Sequence, residues 1–417
     1  MHTFTHNSMT SILNLQGVII YKIEEDKENF NIKIGQPRKP AKCIYCNSNN
    51  FIKNGKASTR KIRHGISLSG KAIFLFWLSK RFKCKDCNRT WTSRPPDHLT
   101  EGRKRYTKHC QDQALRILQT NSFGETKKQT GLSYATLRDT LHKFMKNKPL
   151  ISIPEIGPLS IGIDEHSRAK KKLATTIALI CPERKLLGLI AQATSNDLVK
   201  WTKDNLNYGQ RMRVIEVSMD MTKSLKKQIK LLFPRAKFVI DHFHVIAYLN
   251  NIIRDEYQFT IRYGYLSKED KAKLQIRTKG MGIVRLLYQR GRHWTERDRE
   301  KIKTVFKVMP RVAELWSAKE EVRAIYRESL DKDEARERWQ SVLSVLTIVA
   351  KRTLKSNLED ILNYFDKKTT NAFTEGCHTK VKLLKRISFG LRNHQVYVEK
   401  LELGFVQPKL LTTTHTY

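Results

Sequence analysis

The run Leu159-Ser160-Ile161-Gly162-Ile163-Asp164 decides how this chain is read. Apolar residues at 159, 161 and 163 alternate with small or polar ones, the period of a half-buried strand, and the run stops on an acidic residue. Ala174–Ile180 and Leu186–Ala193 read as two further strands at hairpin spacing. A helix-like stretch, Asn196–Leu206, leads to the strand Val214–Val217, with Asp220 just beyond it. Thr222–Phe233 is an amphipathic basic helix, and Phe238–Ile240 is a strand ending on Asp241. Three strands followed by alternating helix and strand predict an α/β fold on a sheet of mixed direction.

Downstream, residues 242–360 carry charges at helical spacing and no comparable strand run. Thr295 and Asp298 resemble a capping box, and Pro310 interrupts a helix. The expectation is a catalytic domain in two parts, 151–250 and 361–417, divided by an all-helical insertion at 251–360. The last part opens with a helix holding Glu375, Lys380, Lys382, Lys385 and Arg386. Trp294, Trp316 and Trp339 read as core of the insertion, with stacking on an unpaired base as the other reading.

Upstream, residues 1–40 read as a leader with one strand-like stretch, Leu15–Ile23. Residues 41–99 hold two cysteine pairs, Cys43/Cys46 and Cys84/Cys87, with the apolar run Ala72–Leu78 between them. A hairpin there would bring the pairs together as in a zinc ribbon. Four thiolates make a closed, structural site for one Zn²⁺. Arg60, Lys61, Arg63, Lys80 and Arg81 are then available to present to a polyanion.

Pro95-Pro96 marks a boundary, and residues 100–150 are helical in pattern. Ala114, Leu115, Ile117 and Leu118 suit one helix. A short second helix ends at Gly131, and Ser133 caps a third from Tyr134 to Phe144. This fits a helix-turn-helix, although a plain helical hairpin has the same pattern. In the first reading Tyr134, Thr136 and Arg138 face base edges, and Lys104 and Arg105 meet phosphates.

The 417 residues are enough for about two to four domains. Lys and Arg number 79 against 40 Asp and Glu, a net charge of +39. Such an excess repels itself without a polyanion, so nucleic acid is the expected partner. No apolar run approaches the ~20 residues that span a bilayer, so no membrane partner is expected. An odd cysteine count with two close pairs fits a reduced compartment. Cys110, Cys181 and Cys377 read as ordinary buried or half-buried thiols.

Asp164, Asp220 and Glu375 could converge if the sheet forms. Carboxylates on rigid elements suit two Mg²⁺ ions, with Mn²⁺ as a substitute, for phosphodiester cleavage. Taken singly, aspartates at strand ends are more often caps and turn formers.

Taken together, these motifs make the chain resemble DDE-type insertion-sequence transposases of the ISL-three family. The resemblance rests on Arg81–Trp91 around the second cysteine pair, on Ile161–His166, and on Phe233–Val245 with its Asp241-x-x-His244. It ends in Thr374-Glu375-Gly376, Lys382, Lys385-Arg386 and Phe389–Asn393. It implies a ribonuclease-H-like catalytic domain behind a zinc-ribbon-like module and a helix-turn-helix. Asp164, Asp220 and Glu375 are then the metal-binding triad, Asp241 and His244 support it, and Lys382, Lys385 and Arg386 face DNA.

The implied partners are double-stranded DNA, both inverted repeats and target, and a second copy of the chain in a dimer or larger assembly. The implied place is the bacterial cytoplasm, on the nucleoid. This chain departs from the family pattern in two places. His242 stands where Arg usually follows the Asp, and Glu165-His166-Ser167-Arg168-Ala169-Lys170 replaces an acidic-aromatic-alanine stretch. A DNA-binding regulator on a dead nuclease fold and a junction resolvase are the rival readings.

Overall fold

The computed structural model describes residues 13–36, 40, 42–146, 153–169, 172–192, 194–221, 223–264, 266–273, 281–407 and 411. Lys170, Ala193 and Thr222, named above, lie outside them. The chain divides into two compact units, Met1–Leu150 with Thr379–Tyr417, and Ile151–His378.

The first unit is built on a five-stranded sheet in the order β1 (Ile19–Glu25), β2 (Asn29–Gly35), β4 (Ala72–Cys84), β3 (Phe51–Ile66), with β5 (Thr90–Thr92) on the far end of β4. Along β4 the period of two is plain: Ile73, Leu75 and Trp77 point into a core with Leu15, Ile32, Ile34 and Ile62. Phe74 and Phe76 face the other way, beneath Lys61 and Arg63. The 1–40 stretch therefore holds two strands of this sheet where the sequence reading found one. The second was missed because Asn29, Asn31 and Lys33 dilute its apolar face.

Three helices follow, Lys108–Thr120, Phe123–Thr130 and Tyr134–Lys146. Thr107 and Ser122 cap the first two with their hydroxyls, and Ser133 Oγ accepts the N–H of Thr136. Gly131 closes the second helix at φ 71°, a conformation costly for any side chain. Their core, Leu115, Leu118, Leu137 and Leu141, is completed by Val396 and Leu403 of the C-terminal helix His394–Leu403. Residues 379–407 and Leu411, assigned from sequence to the catalytic domain, thus pack in the first unit. Their apolar positions match a helical pattern but do not name its partner.

The second unit holds the sheet β10 (Lys237–Ile240), β9 (Val214–Met219), β6 (Leu159–Ala169), β7 (Lys172–Cys181), β8 (Lys185–Ile190). β10, β9 and β6 run parallel, and β6–β7–β8 is an antiparallel meander. Helices Ser195–Asn205 and Lys223–Leu232 contribute Leu198, Ile229 and Leu232 to its core.

From His242 to Lys367 every regular element among the described residues is helical. Trp339 is fully buried there, and Trp294 stacks on Trp316 at 4.7 Å, so these tryptophans are core. The capping box Thr295/Asp298 forms, and Pro310 begins a helix. One expectation fails: Asp164 is not at a strand end. β6 continues to Ala169, paired with β7 throughout, although its residues past Asp164 are polar.

Candidate active site

The parallel register sets Gly162 beside Ser218 and Val239 beside Ser218, so Gly162, Ser218 and Val239 share one face of the sheet. Two residues on, side chains return to that face. Asp164 on β6, Asp220 after β9 and Asp241 after β10 are those residues.

Glu375 comes from the helix Ala372–Ile387, whose first turn it occupies. Asp164 feels the charges of Asp220 and Asp241, and Glu375 those of Asp241 and Asp164. Burial first, then Asp220 and Asp241, raise the pKa of Asp164, opposed by the His244 imidazole and the Glu165 N–H. Burial, then Asp241 and Asp164, raise Glu375, again opposed by His244. Burial raises Glu165 too, helped by Asp220 and Asp164. These shifts are what mutual repulsion in a partly dehydrated site produces, and a cation would relieve it.

The loop ahead of the Glu375 helix is pinned at two points. Glu216, buried under the sheet face, accepts the Thr369 hydroxyl at 2.6 Å and that of Ser160 at 2.9 Å. Asp241, fully buried, accepts the N–H of Asn371 through one oxygen and that of Phe243 at 2.8 Å through the other. Asp241 is thus the N-cap of the helix His242–Tyr263 and a tie to the Glu375 helix.

Gly162 makes room for that helix, because a Cβ there would stand 2.2 Å from Thr374 Oγ1 and 2.3 Å from Asn371 Oδ1. His244 Nε2 is buried with no hydrogen-bond partner among the described residues. Sequence reasoning missed His378, whose Nδ1 lies 3.3 Å from Asp164 Oδ2, and His166, whose ring packs against it at 4.7 Å. Only the i, i+3 spacing of Glu375 and His378 could have hinted at it.

In the first unit the long β3–β4 hairpin, with Phe51 opposite Cys84, draws the cysteine pairs together. The four sulfurs lie within 4.8 Å of one another, with Cys43–Cys87 at 3.8 Å and Cys46–Cys84 at 3.5 Å. Tetrahedral thiolates around Zn²⁺ stand about 3.8 Å apart, so the donor set fits. Backbone N–H groups of Cys87 and Asp86 help bring the Cys84 thiol down to about 7. Phe51, Phe82 and Trp91 pack around the sulfurs. Among the described residues, only these cysteines bring three or more ligand atoms into one tight group. Asp164, Asp220 and Glu375 do not form such a group. Of the lone cysteines, Cys110 and Cys377 are buried, whereas Cys181 is exposed.

Residues 161–401 match the family model of ISL3-type DDE transposases, described as "Transposase". The chain belongs to that family. Residues 39–87 match the zinc finger of transposases IS204, IS1001, IS1096 and IS1165. Over 256 residues the chain is 23% identical to the transposase for insertion sequence element IS1001 of Bordetella parapertussis. That stretch is 59% of this chain and 60% of the relative, so the match spans under two thirds of the relative's length.

The DNA-facing residues expected for this family member fall into two groups. Lys61, Arg105, Tyr134, Arg138, Lys382 and Arg386 are exposed, and Thr136 and Lys385 are half-buried. Arg63 is turned inward: it donates to Gln129 O at 3.0 Å and lies over the Phe74 ring. Arg60 donates to Gly102 O and Lys104 O, and the Lys104 ammonium is paired with Glu101. Strand position alone could not tell these inward arginines from outward ones. No helix among the described residues is long and apolar enough to cross a membrane.

Proposed function

We propose that this protein is a DNA transposase that binds the inverted repeats of its own element, cuts the strand at the element's end and joins it to target DNA. What supports the reading is that Asp164 feels the charge of Asp220 and Glu375 feels that of Asp164, in a chain of the transposase family. The strand order β10-β9-β6-β7-β8 supports a ribonuclease-H-like catalytic domain at 151–250 and 361–378, divided by the helical insertion.

Asp164, Asp220 and Glu375 would hold two Mg²⁺, which when bound neutralise phosphate charge and make a nucleophile from water near neutral pH. Asp164 is fixed by the strand ladder and by His378, Glu375 by the pinned loop, and Asp241 caps rather than reacts. His244 tempers the repulsion between Asp164 and Glu375.

In the first unit, Cys43, Cys46, Cys84 and Cys87 would hold one structural Zn²⁺. The three helices are the helix-turn-helix, with Tyr134, Thr136 and Arg138 at the start of its reader. Lys104 and Arg105 precede it, and Lys382, Lys385 and Arg386 follow Glu375 along its helix. Both ends must be held together for integration, so the assembly on DNA is a dimer or larger.

The test is cleavage of a labelled inverted-repeat duplex with Mg²⁺, beside a gel shift. Asp164→Ala, Asp220→Ala and Glu375→Ala should each abolish cutting while binding persists. Wild-type protein that binds the repeats but never cuts, with Mg²⁺ or Mn²⁺, would move the reading to a regulator.

A further inference from the structure

An open cleft of about 1160 Å³ lies on the first unit, and none of the three carboxylates lines it. Its walls are the middle of β3 (Ser58–Lys61), the middle of β4 (Trp77 and Ser79), the strand β5 and the loop that carries Arg94, Arg103 and Arg105. None of the described residues that line it is acidic. Five of them are cationic: Arg60, Lys61, Arg94, Arg103 and Arg105.

The cations are not spread by accident of the surface. Arg60 donates to the backbone oxygens of Gly102 and Lys104, the residues that bracket Arg103 and precede Arg105. One arginine is therefore spent on holding the loop so that two others stand in the cleft. Arg94, Arg103 and Arg105 are exposed, and among the described residues none is paired with a carboxylate. Burial lowers the Arg60 pKa, and the like charges of Arg105, Arg94 and Arg103 lower it further, so these groups act on one another at short range. Holding four guanidinium groups together in this way costs free energy that an anion would return. Tyr45 and Ile44, half or more exposed, stand at the rim on the first cysteine knuckle, where a sugar or base edge would meet them.

We propose that this cleft is a phosphate-binding surface for the backbone of duplex DNA, separate from the reader helix, with Arg94 and Arg103 as two of its contacts. The proposal rests on the transposase reading for its partner. Arginine is suited to it because its planar fork binds phosphate oxygens in pairs. The cleft is open to solvent, so a continuous backbone can reach it, and phosphate contacts carry no information about sequence.

The experiment is a binding titration of the full-length protein on repeat and random duplexes between 50 and 200 mM salt. It compares wild type, Arg94→Ala/Arg103→Ala and the single charge reversal Arg103→Glu. Circular dichroism and zinc content check that the variants are folded. The double variant should weaken binding to both duplexes alike, and its log–log salt slope should fall by about two. Across that salt range its loss of affinity should then be about tenfold smaller than the wild type's. A folded double variant with an unchanged slope would overturn the surface and leave the transposase reading standing. Wild type that binds no duplex would overturn both. Tighter binding of an RNA duplex than of DNA would overturn the choice of partner.

Discussion

His378 Nδ1 stands 3.3 Å from Asp164 Oδ2, joining the helix of Glu375 to the central strand of the sheet. The other oxygen of Asp164 accepts the Glu165 N–H at 2.8 Å, so both are oriented. Such outer partners typically contribute about 10–100-fold in metal affinity or activity. His378→Ala should therefore lower cleavage by that order and raise the Mg²⁺ concentration at half-maximal rate, while the gel shift is unchanged. His378→Asn, which keeps a donor, should recover part of the loss. An unaltered Mg²⁺ dependence in the alanine variant would reduce His378 to packing.

Gly162→Ala tests the placement of Glu375. The added methyl meets Thr374 Oγ1, Asn371 Oδ1 and, at 3.0 Å, Ile180 Cδ1. The helix must move or the strand must bend, at about 1–3 kcal/mol. Thermal unfolding should shift down modestly and cleavage should fall far more, because the third carboxylate travels with its helix. Full cleavage by Gly162→Ala would show that the close approach has no catalytic meaning.

The cysteine cluster predicts one equivalent of Zn²⁺ in purified protein. Cys84→Ser should release it and lower the melting temperature, because a structural zinc site contributes to folding outright. Elemental analysis finding under half an equivalent in the wild type would contradict this.

His64 gives a pH dependence. It is fully buried, with Nδ1 3.0 Å from the Thr107 hydroxyl and Nε2 2.7 Å from Leu13 O, and it stacks on His109. Burial, then the charge of His109, lowers its pKa from 6.5 to about 4. Between those values the unfolded chain binds the extra proton, so stability is full above about pH 6.5 and falls as pH drops toward 4. The loss is about 3 kcal/mol. Denaturant midpoints from pH 7.5 to 4 should show it, and His64→Gln should flatten the curve. Equal slopes in both proteins would count against it.

Much of this was legible because it is local. The β6–β7–β8 meander announces itself by alternation, Gly131 by the helix it stops, and the cysteine pairs by their spacing. Asp164, Asp220 and Asp241 were visible as acids beside apolar strands. What stayed hidden depends on partners distant in sequence. Asp241 reads as a support of the triad, and only its two backbone donors show that it works as a helix cap. Arg63 reads as a DNA contact until Gln129 is found at its tip. The strand character of Glu165–Ala169 comes from β7, since polar residues give no apolar period of their own.

The β3–β4 hairpin is also a ruler. Cys84 lies at its knuckle end, and Phe74, ten residues back along β4, lies under the arginine that reaches the three helices. Ten strand residues span about 33 Å, close to the 34–36 Å of one turn of B-form duplex. If a duplex lies along the hairpin, the knuckle and the helix Phe123–Thr130 that Arg63 reaches stand about one turn apart. Backbone footprinting should then give two protected patches about ten base pairs apart, and adding or removing five base pairs between them should uncouple the two.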